Sequence, residues 1–145
     1  MKKQTILKGI LVLLPVLAVS FAMQGNSVML YDSVAGTTLY FSYFDLVPEA
    51  VLPVAAPLAG LAAIFCGGCA MIYLFARKIS VLQTVRWTAF AGGCIAVLPI
   101  VVKGTVTMIP TVAVPLLLMA EFVLAGILLK GFREDANSSR PNRLQ

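Results

Sequence analysis

The chain has 145 residues, of which 60% are hydrophobic and 12% charged, with 11 Lys and Arg against 6 Asp and Glu and no histidine. So few polar side chains cannot cover the surface of a water-soluble domain of this size. The lack of histidine excludes Ser-His-Asp and Cys-His catalysis within the chain, and the positive charge is divided among separated segments rather than gathered into a nucleic-acid-binding patch.

The apolar residues fall into four long runs separated by charged or turn-forming segments, the pattern of membrane-spanning helices. The first covers Ile10 to Met23, with Ile6 and Leu7 at its start and Lys8 placed to snorkel from the boundary. Lys2 and Lys3, the apolar stretch and Ser20-Phe21-Ala22 also have the form of a secretory signal with a small-x-small cleavage site. A retained helix suits a multispanning product that uses its first span as its own signal, and the following segment lies outside in either case.

The interval from Gln24 to Glu49 contains Asp32, Asp45 and Glu49 and no lysine or arginine. Tyr31, Tyr40, Phe41, Tyr43 and Phe44 crowd aromatic rings into it. Rings with an apolar body and a polar tip fit the headgroup region, so the interval reads as an outer loop lying on the bilayer or capping the bundle. A surface for a ligand or partner is the competing reading. Val28 to Tyr31 and Gly36 to Phe41 have the residue order of two short strands pairing back on each other, although short helical turns would satisfy the same backbone groups.

The second run extends from Val51 to Ala76, with Pro48, Pro53 and Pro57 at its entrance. An inner loop, Arg77 to Thr84, turns the chain back, and Arg86 with Trp87 anchors the third run, about Val85 to Val102. Lys103-Gly104-Thr105 leads into the fourth, Met108 to Leu129. Such short connections make neighbouring spans antiparallel. Pro99, Pro110 and Pro115 fall in the outer halves of the last two runs and favour bends there. Residues 131–145 form a polar tail rich in Asn, Ser, Arg and Pro, expected to be disordered on the cytoplasmic face. Residues 1–130 make a single membrane domain.

Lys2, Lys3, Lys8, Arg77, Lys78, Arg86, Lys130, Arg133, Arg140 and Arg143 share one side of this topology, leaving Lys103 alone on the other. By the positive-inside rule both chain ends are cytoplasmic. The expected fold is therefore all-α, an integral-membrane four-helix bundle with an aromatic extracytoplasmic loop between its first two helices. Its basic start and lean four-span plan fit a bacterial inner (plasma) membrane.

Phe65-Cys66-Gly67-Gly68-Cys69 in the second run is echoed by Phe90-Ala91-Gly92-Gly93-Cys94 in the third. Gly67, Gly68, Gly92 and Gly93 are candidates for close helix packing, since lipid supplies no hydrophobic drive between helices. Counted inward from the flanking cations, Cys69, Cys94 and Glu121 lie at similar depths of about 12 to 13 Å. Cys66 and Cys69, three apart on one helix, with Cys94 and Glu121, have residue types that hold a metal or exchange electrons. Inside an apolar helix, cysteines more often act as small hydrophobes. Glu121 is the sharpest residue. A carboxylate deep in hydrocarbon must face the interior, find a donor, or carry a proton.

No cofactor motif or close acidic pair is visible, and an enzyme is the less favoured class. The leading expectation is a small membrane scaffold or accessory subunit, associating with a membrane-protein partner or with itself within the lipid bilayer. A proton-linked or small-solute transporter using Glu121 is the main alternative. A thiol-redox or metal-handling protein using Cys66, Cys69 and Cys94 is the third.

Overall fold

The computed structural model describes residues 2–25, 27–32, 35–45, 55–101, 105–106 and 109–138. It is mostly helical, with α1 (Lys2–Ala22), α2 (Ala55–Ala76), α3 (Ile79–Val101) and α4 (Ile109–Ser138). Three short strands join them: β1 (Val28–Asp32), β2 (Thr37–Phe41) and β3 (Thr105–Val106). All four helices are long and apolar enough to cross a membrane.

α1 packs on α2 and α4, and α3 packs on the same two, so the helices follow one another around a square. Each helix turns a heptad-like stripe inward: Leu11, Pro15, Ala18 and Ala22 on α1; Ala56, Ala59, Ala63, Cys66, Ala70 and Tyr73 on α2. Leu82, Val85, Ala89 and Ala96 do so on α3, and Thr111, Val114, Leu118, Glu121, Ala125 and Leu128 on α4. Spacings that alternate between three and four keep one seam facing the partners along the whole length of a helix. The outward faces are apolar too, with Leu61, Phe65, Phe75, Val101, Leu116 and Val123 all exposed.

The α2–α3 connection is tighter than the sequence pattern predicts. Arg77 takes a left-handed conformation (φ 49°) while its N–H donates to the Tyr73 carbonyl at 3.0 Å, which closes α2. α3 then starts at Ile79, so Ser80 to Thr84, expected in the loop, are helical. Burial of Leu82 and Val85 on the inner stripe accounts for the early start, and Thr84 bonds back to the Ser80 carbonyl at 3.1 Å. α4 likewise runs on to Ser138, through the first half of the expected tail. An exposed Lys130–Glu134 contact at 4.0 Å, one turn apart, decorates this extension. Pro48 and Pro53 lie outside the described residues. Pro57 falls in the first turn of α2, where a missing N–H costs no helix bond, whereas Pro15 and Pro115 interrupt the ladders of α1 and α4.

The strands add to the all-helical expectation a sheet of order β2-β1-β3 at the end of the bundle opposite the Arg77–Lys78 turn. β1 and β2 form the expected antiparallel pair, Val28 opposite Phe41 and Asp32 opposite Thr37. Gly36 (φ 64°) makes their turn, in a backbone region that a side chain would strain. β3, from the α3–α4 connection, pairs with the other edge of β1, Met29 opposite Val106.

Two apolar clusters fill the interior. The sheet-end cluster contains Ala18, Ala22, Val28, Tyr43, Ala59, Ala63, Ala96, Val114 and Leu118. The turn-end cluster contains Leu11, Ala70, Tyr73, Leu82, Val85, Leu124, Ala125 and Leu128.

Candidate functional site: a buried carboxyl and an aromatic sheet

Between the two clusters, each helix contributes one fully buried residue to its inner stripe: Pro15, Cys66, Ala89 and Glu121. Glu121 is 0% exposed, and neither of its carboxyl oxygens has a hydrogen-bond partner. Its stripe neighbours on α4 are Leu118 and Ala125. In such surroundings an ionised carboxylate without a partner is costly.

α2 brings Cys66 within electrostatic range of Glu121. The Cys66 thiol donates to the Val85 carbonyl of α3 at 3.5 Å, which ties it to packing. The depth count groups Glu121 with Cys69 and Cys94 instead. Cys69, one turn farther along, is half-buried against the turn-end cluster, and Cys94 is exposed. Helix rotation separates residues that share a depth. Among the described residues no three metal-ligating side chains come together, so the three thiols form no common site.

Arg86, expected with Trp87 as an interface anchor, packs against α4. Its guanidinium carbon lies 4.9 Å from the centre of the Phe122 ring and 5.9 Å from that of Trp87. It also lies over Gly126, where a Cβ would meet the Arg86 Nε at an ordinary contact distance of 3.7 Å. That Nε is buried and has no hydrogen-bond partner. Phe90 completes the aromatic wall, 5.2 Å from Phe122 and edge-on to Trp87 at 6.2 Å.

The glycine pairs diverge. A Cβ on Gly92 would stand 2.7 Å from that of Ala62, closer than two helices tolerate, and one on Gly93 would meet the Met119 methyl at 3.1 Å. Gly67 touches Pro15 at ordinary distance, and Gly68 faces open space.

The aromatic loop divides into two faces. Tyr43 is fully buried: its N–H donates to the Ala22 carbonyl at 3.0 Å and its hydroxyl to the Thr111 carbonyl at 3.4 Å. Phe44 lies against Gly60, where a Cβ would come within 2.8 Å of the ring. The hydroxyl of buried Ser27 shares its single proton between the Phe21 and Gln24 carbonyls, both at 2.6 Å, and the Ser27 carbonyl accepts from the Thr111 hydroxyl. Phe41 is half-buried on the face that carries Val28. Tyr31 and Tyr40 point the other way, 53% and 54% exposed. They share a face with Met29 and Thr38, because residues directly opposite in a sheet lie on the same side.

Pro15, Arg86, Ser27 and Thr111 escape sequence reasoning as site residues. The three-four spacing of the α1 and α4 stripes was the available signal for Pro15 and Thr111. No local signal marks the packing of Arg86, whose partners Phe122 and Gly126 lie on another helix. No family model, curated protein or solved structure matches the chain.

Proposed function

We propose that the protein is an integral-membrane accessory subunit or scaffold, with four spans and both ends cytoplasmic, that binds a membrane-protein partner through the outward face of its sheet. Four helices of spanning length and apolar outer faces support residence in a bilayer. The clustering of Lys8, Arg77, Lys78, Lys130 and Arg133 toward the turn end supports the orientation, which would put the sheet outside. A bacterial plasma membrane suits this plan.

The observation that carries the reading is the divided loop. Tyr43, Phe44 and Ser27 fasten the sheet rigidly to the bundle, which leaves Tyr31 and Tyr40 displayed on a fixed platform. Tyrosines held in place lose little freedom on binding and offer both ring area and a hydroxyl, which is why they are favoured at interfaces.

A photo-crosslinking residue at position 40, in native membranes, should capture one protein of defined mass. Tyr31→Ser with Tyr40→Ser should abolish its copurification, whereas Glu121→Gln should leave it intact. Lipid adducts alone would refute the partner reading and return these rings to the headgroup belt.

The unpartnered carboxyl favours transport as a second reading. Both clusters flanking Glu121 are apolar, so any solute larger than a proton requires the helices to part. Proteoliposome flux that Glu121→Gln abolishes would establish that reading in place of the first.

A further inference from the structure

We propose that the protein holds one anionic phospholipid in the leaflet at its turn end, with the lipid phosphate on Arg86 and an acyl chain in the groove between α2 and α3. This goes beyond the partner reading: it rests on the four spans lying in a bilayer and makes no use of the sheet.

Arg86 lies about two turns into α3, off the inner stripe, with its guanidinium against the rings of Phe122 and Trp87. α4 covers its Nε at Gly126, whereas the two amino nitrogens beyond it are not enclosed. Among the described residues no acid pairs with it. Glu134 contacts Lys130, Glu121 is buried on the inner stripe, and Asp45 accepts from the Ser42 N–H in the loop at the sheet end. A guanidinium at this depth without a carboxylate suits a phosphate, which offers it paired acceptor oxygens. Phe122, Gly126 and Lys130 follow at four-residue intervals on one face of α4, so a second cation stands one turn nearer the turn end. Exposed Trp87 is both a wall of the guanidinium's seat and the turn-end lip of an apolar groove of about 540 Å³ on the outer side of α2 and α3. Leu58, Phe65 and Ile95 line that groove, and the close approach of Gly92 to Ala62 makes its floor. A cation at one end of an apolar channel matches the form of a phospholipid. Charge complementarity selects an anionic headgroup over a zwitterionic one, which carries its own cation beside the phosphate.

Trp87 is the only tryptophan, so its fluorescence reports on this site alone. The test places the full-length protein in phosphatidylcholine nanodiscs doped with phosphatidylglycerol brominated on its acyl chains, since bromine quenches an indole that it touches. The anionic lipid should quench as though about fivefold or more above its mole fraction, the scale set by one cation near a bilayer surface. Brominated phosphatidylcholine should quench in proportion to its own. Arg86→Gln should bring the anionic lipid back to proportion. Arg86→Lys, which keeps the charge, should retain most of the preference and guards against a mere folding defect. Ala91→Phe fills the groove from its exposed side without altering charge and should weaken the preference. Lys78→Gln removes a cation from the same end and should leave it in place. Proportionate quenching in the parent, or a preference unmoved by Arg86→Gln or by Ala91→Phe, would overturn the proposal. So would an equal loss in Lys78→Gln, which assigns the effect to diffuse surface charge. None of these outcomes bears on the crosslink at position 40, so the two readings fail separately.

Discussion

Tyr43 joins the loop to the bundle through its backbone, its ring and its hydroxyl. Tyr43→Phe removes only the hydrogen bond to the Thr111 carbonyl and should cost about 1 kcal/mol. Tyr43→Ala also empties part of the sheet-end cluster and should cost about 3 to 5 kcal/mol. Thermal unfolding in detergent should rank the two in that order. Burial also pushes the Tyr43 phenol above its ordinary range. An unfolded chain ionises its phenols near pH 10. The folded protein holds the proton longer, so this contribution is whole below about pH 10 and declines as pH rises toward the folded-state value. Melting temperatures measured from neutral into alkaline pH should fall less steeply for Tyr43→Phe than for the parent.

The helices were legible as elements, because apolar runs between charged segments report length and order directly. Their mutual rotation was not. Gly68 and Gly92 come from two copies of one motif, yet Gly68 faces open space and Gly92 sits against Ala62. Gly92→Ala should therefore destabilise by about 1 to 3 kcal/mol through overpacking. Gly68→Ala should be neutral or gain up to about 1 kcal/mol by relieving backbone entropy. Unfolding of the two variants side by side distinguishes packing from motif. The start of α3 was hidden because Ser80, Gln83 and Thr84 look like loop residues, while the buried positions among them, Leu82 and Val85, are few. The β1–β2 pair was readable from local order, whereas β3 is only two residues long and comes from another connection.

For the molecule as a whole, charge asymmetry gave an orientation that packing alone does not supply. With Cys66, Cys69 and Cys94 replaced by alanine, Tyr40→Cys should react with a membrane-impermeant maleimide on intact cells. Arg133→Cys should react only after permeabilisation. The reverse pattern would invert the proposed topology. Glu121 was readable as an oddity from hydropathy alone. Its true neighbours, Cys66 rather than Cys69 and Cys94, required knowledge of which faces meet, and a depth count carries none.

β1 draws one pairing strand from each of two connections, and the second of them, β3, follows three of the four helices in the chain. During synthesis the middle strand therefore waits with a bare edge until Thr105 and Val106 emerge. The last strand to be made thus seals the sheet and straps the α3–α4 connection to the loop between the first two helices.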